Sequence, residues 1–466
     1  MTLWSLTVGV SLAKHEDEST VGPAIPTLTR ASMNELESPA AEQQSATRPG
    51  RTAWWTLGVL TSVSILDWSD RALISAVAEP LRHEFELSDT ELGFAMAFAF
   101  GLFRVFIGIP VGRLADTHNR RNLLASALAL WSVMTIAFGM ARNYTQLFWA
   151  RVVIGAGTTG AYPPTVSMIS DLFPLRKRGF AMGIFNTGSV IGFSLGMAVG
   201  AMIVELYSWR AAMIAFGLFG VVLAVLLFLI LKEPLRRDSK GEEITTVEPP
   251  PLRQVLRFML GQRSLFHLIV AFSLVNIMDS VSGFWTTSFY VRSHGMSIGE
   301  AGTALGVVWV VAGLAGVLLG GYLLDYLGRR DIRWHSWMLC AVTLLSIPPW
   351  LLAFLGPSVA VALTGSFLST LVFSMWYAPL QTLLTGLVGS QMRAVAYSAL
   401  SIFLYVAYSL GPIITGFVSE QLAPDAGEES LRYALVASLG LLVWAAWHFY
   451  RAAATLKEDY DRAATL

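Results

Sequence analysis

The stretch "MIAFGLFGVVLAVLLFLIL", from Met213 to Leu231, contains no charged residue. Wound as a helix, a run of that length crosses about 30 Å of hydrocarbon. Similar runs recur along the chain. Backbone groups inside hydrocarbon cannot turn to water, so each run must be helical or belong to a closed barrel. Barrel strands alternate apolar and polar residues over about ten positions, and these runs do not alternate. Of 466 residues, 54% are hydrophobic and only 14% charged, where a soluble chain carries about 25% charged. The chain reads as an all-α membrane protein.

Twelve apolar segments can be marked, at about 54–79, 90–112, 122–141, 145–170, 179–204, 210–232, 264–291, 299–323, 334–356, 359–388, 394–419 and 430–451. They predict twelve transmembrane helices in two six-helix bundles. With both chain ends on one side, Arg82, Arg142, Arg210, Arg292 and Arg432 fall in connections on the other. Arg71, Arg104 and Arg151 lie inside segments, and every other Lys and Arg sits on the side of the ends. Basic residues mark cytoplasmic loops, so both termini are expected in the cytoplasm, with the chain multi-pass in the cell inner (plasma) membrane.

The expected organisation is a disordered N-terminus (1–52), a first bundle (53–232), a linker (233–263), a second bundle (264–452) and a short tail (453–466). The N-terminus is rich in Ser, Thr, Pro, Glu and Ala, a composition that buries little. Residues 1–32 have no evident use, and Met33 would serve as a start. Within the linker, "LRQVLRFML" spaces Leu252, Val255, Leu256, Met259 and Leu260 along one helical face between Arg253 and Arg257. That pattern predicts an amphipathic helix lying on the cytoplasmic membrane surface.

The two halves repeat. "GRLADTHNRR" from Gly112 and "GYLLDYLGRR" from Gly321 align Asp116 with Asp325 and Arg120 with Arg329, and the same offset carries Asp70 onto Asp279. A second register aligns Tyr162 with Tyr377, Pro164 with Pro379, Arg178 with Arg393 and Gly196 with Gly411. Parallel repeats of six helices are a transporter architecture with the site where the halves meet.

These motifs resemble the major facilitator superfamily. "GRLADTHNRR" is similar to its loop signature G-x-L-A-D-x-x-x-R-R, and "RVVIGAG" in segment four matches its R-x-x-x-G-x-G. Gly188, Gly192, Gly196 and Gly200 resemble its close-packing fifth helix. Within the superfamily, "LDWSDR" followed by "FELSDTELGF" resembles the spinster-like branch, whose first helix reads N-Y-x-D-R, and shares part of its pattern with the organic anion:cation symporters. The resemblance covers about residues 52–452. It implies transport by alternating access, and an amphipathic, lysolipid-like cargo on the first comparison or a small organic acid on the second. Spinster-like proteins usually carry Glu after the segment-four glycines; here that position is Thr158, while Asp67 replaces the Asn of the first-helix pattern.

Charges at mid-membrane cost about 2.5–3.5 kcal/mol each or more, and they face a cavity or a partner. Asp67 and Arg71 stand four apart, so they share a helix face. Asp70 should find its partner on another helix, with Arg151 and Arg104 the candidates. Asp70, Asp67 and Asp279 are expected to carry protons, Asp67 standing in for the missing Glu. Arg71, Arg104, Arg151, Thr158, Tyr162, Asn276, Trp376, Tyr377 and Gln381 are expected to bind substrate. Gly112, Asp116, Arg120, Asp171, Gly321, Asp325 and Arg329 are expected to form a cytoplasmic gate, with the two glycines at close helix crossings.

The expected function is proton-coupled secondary transport of an amphipathic or anionic molecule. A proton-independent facilitator and a non-transporting sensor are the alternatives. No nucleophile with a base, metal-ligand cluster, phosphate-binding loop or dinucleotide fingerprint is visible, so neither an enzyme nor an ATP-driven pump is expected. The single Cys340 excludes an intrachain disulfide. No cofactor beyond coupling protons, no nucleic acid and no obligate second copy is expected; the partners are the substrate and the bilayer, and the chain is read as a monomer.

Overall fold

The computed structural model describes residues 50–233, 251–388 and 392–464. The expected disordered N-terminus and most of the linker fall outside them, as does the end of the tail. The described residues group into twelve helical rods, with a short helix, Leu252–Gly261, between the sixth and the seventh. The first half contains α1 (Arg51–Glu84), α2 (89–117), α3 (Arg120–Gly139), α4 (144–172), α5 (Leu175–Leu206) and α6 (Trp209–Ile230). The second contains α7 (Arg263–His294), α8 (298–328), α9 (334–355), α10 (359–387), α11 (Arg393–Ala426) and α12 (430–464). The near side is that of Arg51 and Ala464; the far side is the opposite one.

Nine stretches among the described residues are long and apolar enough to cross a membrane, the last taking in both α11 and α12. Two rods are not among them, and both have a reason in the sequence. α1 carries Asp67, Asp70 and Arg71 at its centre. α4 breaks at Gly160 and Ala161, just before Pro163 and Pro164, which cannot donate to the preceding turn. These rods hold most of the charge in the middle of the first half.

Small residues set the packing. A methyl group on Gly192 would lie 2.2 Å from the Ile65 carbonyl oxygen, and one on Gly196 would lie 2.3 Å from that of Ser69. The glycine row of α5 therefore lets its backbone touch α1, and Ser69 Oγ donates to the Gly192 carbonyl at 2.8 Å. In the second half, Gly411 of α11 meets the Ile277 carbonyl of α7 in the same way. The halves also bend alike. α2 and α8 each contain a π turn, at Phe94–Phe98 and Trp309–Gly313. The break in α4 is matched in α10 by a tight turn at Ser374–Trp376.

The halves meet on the far side. Gly302 and Gly306 of α8 fit against Met197, Ala201 and Ser194 of α5, and Gly93 and Gly416 bring α2 and α11 into backbone contact. Ser75 Oγ of α1 lies 2.5 Å from Thr287 Oγ1 of α7, and Thr90 donates to Glu420. The expected amphipathic helix spans Leu252–Gly261. Val255 and Met259 are fully buried where it packs on α7 and α11, while Leu256 is half-buried and Leu260 exposed.

Gly192→Ala is expected to destabilise the fold by about 1–3 kcal/mol through overpacking. Gly183→Ala, on the same helix with nothing within 4 Å of the new carbon, should leave the melting temperature unchanged or slightly raised. Thermal melts of the detergent-purified variants check the contrast.

Candidate functional site

The centre of the first half is organised around one ring. The Phe100 ring centroid lies 4.6 Å from the guanidinium carbon of Arg151, 5.1 Å from that of Arg104 and 5.7 Å from that of Arg71. A ring face attracts a cation through its quadrupole, the more so away from water. Two carboxylates on α1 stand against the three cations. Arg71 grips Asp67 with both arms, Nη2 to Oδ2 at 2.6 Å and Nε to Oδ1 at 3.3 Å. The guanidinium also covers the Trp68 ring at 4.5 Å.

Asp70 differs from the expectation. Neither candidate arginine bonds it. Arg151 donates Nε and Nη2 to the Met96 carbonyl, at 3.2 and 2.9 Å, inside the π turn of α2. Arg104 reaches the Tyr405 hydroxyl of α11 at 3.5 Å. Asp70 is 4% exposed, and its Oδ1 is buried with no hydrogen-bond partner. The accepting carbonyl lies in a π turn, a local feature that helical periodicity does not announce.

Across the interface, Asp279 of α7 accepts the Tyr377 hydroxyl at 3.2 Å on each oxygen. Tyr377 stacks on Trp376 at 4.3 Å, and Asn276 donates to the Leu404 carbonyl at 2.5 Å. A narrow cavity lies between the halves, lined by Arg71, Phe100 and Arg151 on one side and by Ser280, Gly283 and Tyr408 on the other. Of the remaining expected contacts, Thr158 is buried and turns its hydroxyl to the Gly155 carbonyl at 3.1 Å. Tyr162 is exposed. The surroundings of Gln381, Gly112 and Asp116 lie outside the described side chains.

Among the described gate residues, Arg120 is buried and donates to Asp171 at 2.5 Å and Ser167 at 2.7 Å in α4 and to Glu233 at 2.8 Å at the start of the linker. Asp325 and Arg329 are exposed. A carbon added to Gly321 would meet nothing within 4 Å, so this glycine is not at a close crossing. Gly320 is, against Met375.

A charged latch on the far side was not foreseen from the sequence. Arg292 of α7 donates Nε to Glu79 of α1 at 2.8 Å, and Nη1 and Nη2 to Asp89 at the start of α2 at 2.9 and 2.8 Å. Ser419 of α11 donates to Asp89 at 2.8 Å. The side chains of Arg292, Glu79 and Asp89 are 8%, 5% and 7% exposed, so the fork is nearly dry. Lone charges at helix ends on the side poor in basic residues were the available signal. Beside the latch, within the first half, hydrogen bonds from Arg210 and Trp209 hold the Glu84 carboxyl below its ordinary pKa.

A two-fold repeated helical protein, with polar residues gathered where its halves meet and one side latched, has the build of an alternating-access transporter. The sequence model of the Major Facilitator Superfamily matches residues 59–455. The chain belongs to that superfamily and is a membrane-spanning transporter, not an enzyme. It is 29% identical to an MFS-type efflux pump of Mycolicibacterium smegmatis, over 85% of this chain and 92% of that one. It is 27% identical to a probable L-galactonate transporter of Escherichia coli, over 80% and 85% respectively. Among solved structures, a bacterial homologue of the human lysosomal transporter spinster, inward-facing and unoccupied, superposes with a TM-score of 0.79 at 25% identity, covering 88% of this chain and 98% of that one.

Removing one member of a buried ion pair costs about 3–5 kcal/mol. Arg292→Gln leaves Glu79 and Asp89 with only the half-exposed Arg82 as a guanidinium partner, at 3.8 and 3.4 Å, and opening the far side would hydrate them. Spin labels at Thr145 and Asp425, on far-side ends of the two halves, should report a longer distance population in Arg292→Gln than in wild type. An unchanged distribution would show that the latch does not hold the closed state.

Proposed function

We propose that this transporter moves an organic acid together with protons. The observation that carries the reading is the imbalance around Phe100, where three guanidiniums face two carboxylates, one of them already committed to Arg71. Arg71 and Arg151 line the cavity between the halves, and a guanidinium fork matches a carboxylate. The similarity to a probable L-galactonate transporter supports an acid as cargo.

Asp70 is the proton carrier in this reading. An ionised carboxylate with a dry, unpartnered oxygen is costly, whereas the neutral acid tolerates the site. Protonation removes one negative charge from the cluster, and the anion then supplies its replacement. Loss of the anion favours loss of the proton, which couples the two. Asp67 keeps Arg71 in orientation. Asp279, held by Tyr377, is a second proton position facing the same interface. Both termini lie in the cytoplasm by the distribution of basic residues, so the described conformation, latched on the far side, is the inward-facing one.

Proteoliposomes with an internal pH dye test the reading. Adding galactonate, or failing that pools of other organic acids, should acidify the lumen with wild-type protein, and Asp70→Asn should abolish that signal. Labelled acid crossing without proton movement in either protein would make the chain a facilitator. Movement of lysophospholipid but of no organic acid would replace the cargo class.

A further inference from the structure

We propose that Arg104, together with Tyr405, forms a second anion subsite, so that the preferred substrate is a dicarboxylate. This rests on the organic-acid reading and specifies it. Arg104 is the one cation of the cluster whose donors are largely unmatched. Its side chain is buried at 4% exposure, and both Nε and Nη1 are buried without a hydrogen-bond partner. Nη2 meets the Tyr405 hydroxyl at 3.5 Å, the outer limit for such a bond. By contrast Arg71 is gripped by Asp67, and Arg151 spends two nitrogens on a carbonyl.

A purely structural role accounts poorly for this. As a tie between α2 and α11, an apolar side chain would serve at least as well, because burying a charge without acceptors is unfavourable. The neighbouring close contacts do that work already: Gly101 of α2 packs on Ser409 of α11 one turn away. Stacking does not replace the missing acceptors, although the Arg104 guanidinium carbon lies 4.6 Å from the Tyr405 centroid and 5.1 Å from that of Phe100. Two free N–H groups in a fork beside a phenol that can also donate are the complement of a carboxylate.

The charges agree with a diacid. With Asp70 protonated, Arg71, Arg104 and Arg151 outweigh Asp67 by two positive charges, and a dianion neutralises them. One carboxylate sits at Arg71 and Arg151 on the cavity wall, and the other at Arg104 and Tyr405. All three guanidinium carbons lie within 6 Å of the Phe100 centroid, so the two subsites are no more than about 11 Å apart, guanidinium to guanidinium. A short-chain diacid spans that gap. Tyr405 belongs to the second half and Arg104 to the first, so the second carboxylate also joins the halves, as a substrate that drives closure must.

Matched probes test the inference. Uptake of galactarate against galactonate, and of succinate against butyrate, would be measured in proteoliposomes carrying wild type, Arg104→Gln, Arg104→Lys and Tyr405→Phe. A hydrogen-bonded charge contributes about 1.5–3 kcal/mol, so wild type should favour the diacid of a transported pair by about tenfold or more. Arg104→Gln should bring that ratio to about one, Arg104→Lys should keep part of it, and Tyr405→Phe should reduce it. A misfolded variant would lose both acids alike, whereas the ratio reads only recognition. Wild type showing no preference for the diacid would overturn the inference and leave the organic-acid reading standing, as would an unchanged ratio in Arg104→Gln. Transport of neither member of any pair would overturn both.

Discussion

A charge among apolar helices must be answered by another group, and the first half is arranged around that requirement. Three guanidiniums converge on Phe100, and each finds a different answer. Arg71 takes a carboxylate four residues away, Arg151 takes a carbonyl of a π turn, and Arg104 keeps two donors unanswered. The helices that supply the cluster give up apolar length or continuity to do so. α1 carries three charges at its centre, and α4 breaks before two prolines.

The same requirement explains where the molecule is closed. On the far side, a dry fork from Arg292 to Glu79 and Asp89 joins α7 to α1 and α2, and it is buried because glycines let α5 approach α8 and α2 approach α11. Small residues therefore act twice. Within each half they bring α5 against α1 and α11 against α7. Between the halves they allow a contact close enough to exclude water, where an ionic latch is strong. On the near side Arg120 bonds Asp171 and Glu233, and a carbon added to Gly321 would meet nothing within 4 Å.

Much of this was legible in the chain. Uncharged runs called for helices, the two repeat registers predicted matched halves, and the loop motif brought the superfamily into view. The Asp67–Arg71 pair followed from a spacing of four. Other features were not legible because they depend on contacts between distant segments. The latch joins residues 79, 89, 292 and 419, and nothing in their spacing pairs them. The partner of Arg151 is a backbone carbonyl, which any residue could have supplied. The stripe on Leu252–Gly261 has the pattern of an interfacial helix, and only the position of α7 and α11 makes Val255 and Met259 protein contacts while Leu260 stays exposed.

The sequence by itself determined the solvent, the secondary structure, the repeat and the identity of the charged residues, because hydrocarbon admits few backbone solutions and tolerates few charges. Only the tertiary structure decided which charges meet, which side is shut, and which guanidinium is left with free donors. Those outcomes turn on ångström-scale approaches between helices far apart in the chain, and periodicity specifies which face a residue occupies but not what will be placed against it.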